Sequence, residues 1–138
     1  MTTQGKSLEE LGRRAVACKH WRWLPGMAVL RYAPGTSAHG QRQARVDDEC
    51  VTYEQALGVR IMPDISDPAT LGCLLHLVRE AWNACRISVC FSAYTPDATK
   101  RWSVPISFFK DQRDLVHVPS FYGEAQAEAL VAALEAAP

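Results

Sequence analysis

The 138-residue chain has nowhere a run of about 18 apolar residues, so no membrane-spanning helix is expected. Its opening residues, MTTQGKSLEE, hold no apolar segment of the signal-peptide kind, and a cytoplasmic protein is expected. Nor is there a surplus of charge: 15 Lys and Arg balance 15 Asp and Glu. That excludes the strongly basic nucleic-acid binder and the acidic DNA mimic alike, and no extended nucleic-acid binding is expected. The five cysteines (Cys18, Cys50, Cys73, Cys85, Cys90) are odd in number and follow no disulfide framework, so they read as buried thiols. G-x-S-x-G, P-loop, dinucleotide glycine and H-E-x-x-H motifs are all missing. No cofactor is implied, and an enzyme is the poorer reading.

What is present is a hydrophobic fraction of 48%, enough for one globular domain over residues 1–138 with a core of its own. Charge is unevenly spread. Residues 1–46 hold eight basic and two acidic side chains, whereas residues 47–70 hold one basic and six acidic. Arg13, Arg14, Lys19, Arg22 and Arg31 would form a basic patch or simply a solvated face.

The best local signal lies in DISDPATLGCLLHLVREAWNACR, Asp64 to Arg86. Asp67 is placed to cap the first free N–H groups of a helix, and Pro68 suits its first position. From Leu71 to Cys85 the apolar residues fill an arc of roughly 200°, wider than one sheet requires. An earlier helix over Leu8 to Cys18 is predicted from Ser7 and Glu10 as a capping box, and an Ala-rich helix from Gly123 to Ala136 closes the chain. Pro25-Gly26 supplies the centre of a type II turn.

Strands are expected at Met27–Tyr32, Arg42–Val46, Cys50–Glu54 and Val59–Met62, with a possible hairpin across Asp47-Asp48; residues 33–41 read as a loop. Alternation then predicts strands over Ile87–Tyr94 and Trp102–Phe109, and a short one over Leu115–Val118. Pro105 has no N–H for a ladder, so its strand should lie at an edge or contain a bulge. The order of elements gives an α+β domain: an antiparallel sheet, a central amphipathic helix, and N- and C-terminal helices.

Two groups of residues are candidates for binding. Trp21, Arg22 and Trp23 would place two indoles on one side of an extended segment and a guanidinium on the other, and Trp and Arg are frequent interface anchors. Closing a small core is the plainer use of the same indoles. Ser88, Cys90, Ser92, Ser103 and Ser107 would line one sheet face without a single charged side chain, inviting close approach by the last helix, a second copy or a ligand. Cys73 and His76, three apart on the central helix, are weak metal candidates, since four ligands in two close pairs are not found. Asp47-Asp48-Glu49 reads as a solvated acidic tip, and His117 as a histidine on the polar side of a strand.

Three segments, LGRRAVACKHWRWLPGM (Leu11–Met27), PDISDPATLGCLLHLVREAW (Pro63–Trp82) and GEAQAEALVAALEAAP (Gly123–Pro138), are together similar to a group of uncharacterised small proteins encoded in bacteriophage and prophage genomes. The resemblance implies expression in the cytoplasm of a bacterial host and carries no residue assignment. Three functions are then open. The first is a binding protein that blocks a host or defence component by protein–protein contact, in the manner of an anti-CRISPR. The second is a module for a nucleotide-like small molecule, and the third a Cys/His-dependent enzyme or zinc protein. A homo-oligomer is compatible with each.

Overall fold

The computed structural model describes residues 3–32, 42–46, 60–84, 86–109, 111 and 113–138. The protein is α+β. Helix α1 (Thr3–Ala17) is followed by strands β1 (Ala28–Tyr32), β2 (Arg42–Arg45) and β3 (Arg60–Pro63). Helix α2 (Pro68–Ala81), strands β4 (Cys90–Phe91), β5 (Trp102–Phe109) and β6 (Leu115–Gly123), and helix α3 (Gln126–Glu135) complete the order. A short 3-10 turn, Ala98–Lys100, precedes β5. The expected strand at Cys50–Glu54, the turn at Asp47-Asp48 and the loop 33–41 lie outside the described residues.

The strands form two antiparallel sheets where one was expected, with orders β2-β1-β3 and β4-β5-β6. The chain divides into two compact units: Met1–Ala17 with Trp21–Cys73, and Cys18–His20 with Leu74–Pro138.

In the first unit the structure confirms the turn at Pro25-Gly26. Met27 N–H donates to Leu24 O at 3.2 Å, and Gly26 has φ of 93°, a conformation that only a residue without Cβ adopts without strain. The expected capping box is overturned: α1 begins at Thr3, so Ser7 lies inside the helix rather than at its end. Leu11 and Ala15 are buried, as the helical spacing required, together with Met27, Val29, Met62 and Ile65.

Helix α2 starts as its sequence demanded. Thr70 N–H donates to Asp67 Oδ2 at 3.0 Å, the capping bond expected of Asp67, with Pro68 as the first helical residue. It ends at Ala81, before the Cys85 that its apolar pattern reached, because Asn83 turns the chain left-handed at φ of 50°. Asn83 N–H then bonds Glu80 O at 3.0 Å and Ala84 N–H bonds Arg79 O at 2.9 Å, satisfying carbonyls that the helix leaves open.

In the second unit β5 alternates as predicted, with Val104 and Ile106 buried and Pro105 and Ser107 exposed. Trp102 pairs with Gly123 and Val104 with Phe121, but Ile106 pairs with Val118, so β6 carries one extra residue opposite Pro105. That is a bulge, one of the two outcomes Pro105 allowed. The strand predicted over Ile87–Tyr94 shrinks to Cys90–Phe91. At the Ile87 end the reason is again Pro105: with Cys90 opposite Ser103, the next hydrogen-bonding position would set Ser88 against a residue that has no N–H to give. Helix α3 packs on β5 and β6 and buries Ala127, Ala129, Leu130, Val131, Ala133 and Leu134.

Candidate functional site

In antiparallel strands, directly opposed residues share a face, so register divides the second sheet into two surfaces. Trp102, Val104, Ile106 and Phe108 lie on one, with Phe91, Val116, Val118, Phe121 and Gly123. Trp82 lies against Phe108 and Phe121, at ring-centroid distances of 6.3 and 6.1 Å, and its indole N–H donates to Ala133 O at 2.8 Å. At the end of β6, a Cβ on Gly123 would come within 2.7 Å of Glu128 Cβ and 2.9 Å of Ala129 N. Helix α3 therefore covers this apolar face. The expectation that the last helix would cover the small-residue face is corrected.

That small-residue face stays open among the described residues. Cys90, Ser103 and Tyr122 stand side by side across the three strands, and Ser107 stands opposite His117, with Ser107 Oγ and His117 Nδ1 2.8 Å apart. Ser103 is half-buried, whereas Ser88, Ser92 and Ser107 are exposed. Ser88 Oγ lies 3.9 Å from Cys90 Sγ, and Ser92 sits just beyond β4, where its N–H donates to Arg101 O at 2.8 Å. The predicted serines thus share one side of the second unit. Nucleophilic catalysis at Ser107 would also need a group that orients His117 and an oxyanion donor.

Trp21, Arg22 and Trp23 belong to the first unit. The indoles meet edge to face at 5.4 Å, each half-buried, while Arg22 is exposed. Much of each indole is thereby used within the chain, and Trp21 Nε1 is enclosed with no hydrogen-bond partner among the described residues. Cys73 and His76 are not brought to a common point. Cys73 Sγ lies 3.9 Å from Pro25 O, with burial pushing its thiol above the ordinary range, and His76 Nε2 lies 3.2 Å from Glu80 Oε1 one helical turn on. Among the described residues no three His, Cys, Asp or Glu side chains are grouped to hold a metal.

Exposed aromatic side chains stand at one end of the second sheet, on both of its faces. Phe91, on the Trp102 side, is 56% exposed, Tyr122, on the Ser103 side, 47%, and Tyr94 98%, whereas Val104 and Ile106 of β5 are buried. Phe91 leans on Trp102 at 4.9 Å between ring centroids, and Lys100 Nζ stands 5.6 Å from the centre of the Tyr122 ring. The connecting loop is internally braced. Ser92 N–H to Arg101 O closes its base, and Asp97 accepts from Thr99 N–H at 3.0 Å and from Thr99 Oγ1 at 2.6 Å. Those bonds from Thr99 hold the Asp97 carboxyl below its usual range.

Comparison with family models, curated proteins and solved structures found no match. The candidate site is therefore defined by its own chemistry: exposed Tyr94 and Tyr122, two cations in Lys100 and Arg101, and a loop held by backbone and side-chain bonds, with Phe91 on the other face of the sheet. The alternation of Ile87 to Tyr94 put Phe91 on the Trp102 side, as the register does, but gave no sign of the exposure at this end of the sheet. The available signal was Tyr94 itself, an aromatic residue set immediately before the turn-forming run TPDATKR. No helix among the described residues is long and apolar enough to cross a membrane.

Proposed function

We propose that this protein acts by protein–protein contact rather than by catalysis, and that the aromatic end of its second sheet is the contact surface. The observation that carries the reading is the exposure of Tyr94 in one braced loop and of Tyr122, whose ring centre lies 5.6 Å from Lys100 Nζ of that loop. Exposed aromatic clusters are costly in water and typical of surfaces that become covered. A loop already held by Ser92, Asp97 and Thr99 loses little further freedom on docking, which favours affinity. The proposed setting is that implied by the resemblance to phage-encoded proteins: an inhibitor of a bacterial host or defence component, in the manner of an anti-CRISPR.

The test is affinity capture from a bacterial lysate with the wild-type chain and with Tyr94→Ala. Because Tyr94 is 98% exposed, its removal should leave stability within about 0.5 kcal/mol, checked by thermal denaturation. A specific partner retained by the wild type and lost with the variant is the expected result. Equal retention by both would rule out this surface, and repeated capture of no partner would count against the contact reading itself.

A further inference from the structure

We draw no further inference here: the strongest candidate, the open face of the second sheet around Ser107 and His117, is a stripe of small side chains, and nothing in the structure shows what covers it.

Discussion

In the first unit the ends of the elements are joined by polar groups. Asp67 accepts from Arg45 Nη1 and Nη2 at 2.6 and 2.9 Å and from both the N–H and the hydroxyl of Thr70. Thr70, fully buried, in turn accepts from Ala28 N–H at 2.8 Å, and Arg45 also donates to Gly26 O at 3.1 Å. One carboxylate thus connects the start of α2, the edge strand β2, and through Thr70 the first residue of β1. In the second unit α3 instead lays six buried apolar residues on a sheet whose inner positions are apolar, with Trp82 filling the space beside Phe108 and Phe121. The contrast is between directional bonds that specify where elements meet and area burial that specifies little beyond which face goes inward.

Four changes would break or sharpen that contrast. Leu130→Ala should have the largest effect, about 2–5 kcal/mol lost in urea denaturation, because the side chain is fully buried and α3 leaves a cavity when it is shortened. Hydrogen exchange should show the loss first in the amides of β5, β6 and α3; equal loss in β1 and β3 would erase the distinction between the units.

Gly123→Ala comes next. Its added Cβ would meet the backbone of Ala125 and Ala129 at 2.9 Å, atoms that cannot swing aside, and a cost of roughly 1–3 kcal/mol is expected. An unchanged midpoint would mean that the approach of β6 to α3 is looser than the geometry shows.

Asp67→Ala should cost about 1–2 kcal/mol through the lost cap, together with the pairing to Arg45. Acid provides the same test without mutation. The hydrogen bond from Arg45 leads the effects that hold the Asp67 carboxyl down at about 2 from an ordinary 3.8, the bonds from Thr70 adding to it. A depressed folded-state value means that this stabilisation is complete above pH 3.8 and is lost as pH falls through about 2. Wild type should therefore lose stability across that window more steeply than Asp67→Ala, and parallel curves would refute the role of the carboxylate.

Gly72→Ala is the smallest change and has the opposite sign. Gly72 is exposed within α2 and a Cβ there would meet nothing within 4 Å, so a gain of roughly 0.5–1 kcal/mol is expected in the same denaturation assay.

How much of this was legible in the sequence depends on the range of each interaction. The start of α2 was readable because Asp67 caps groups three residues away, and the Pro25-Gly26 turn because its hydrogen bond spans three residues. The alternation of β5 was readable because burial repeats every second residue. The division into two sheets was not, since β1 pairs with β3 across about thirty residues and nothing local selects that partner. The early end of β4 on its Ile87 side follows from one proline on another strand. The candidate binding residues fared similarly: the serines fell on the open side through alternation, whereas the mutual contact of Trp21 and Trp23 and the exposure of Tyr94 are set by three-dimensional surroundings.

Pro105 has one more consequence. Arg101 O faces β4, so alternation along the strand turns Pro105 to the same side, where β4 has already ended. Beyond β4, that flank of the sheet therefore presents a carbonyl but no amide at the position where an incoming strand would seek one. On the other flank β6 is interrupted midway by Pro119 and its bulge. Among the described residues neither side offers a continuous template for another chain to extend, a standard safeguard against edge-to-edge aggregation and fibre growth. A protein that displays aromatic rings on its surface has particular need of it.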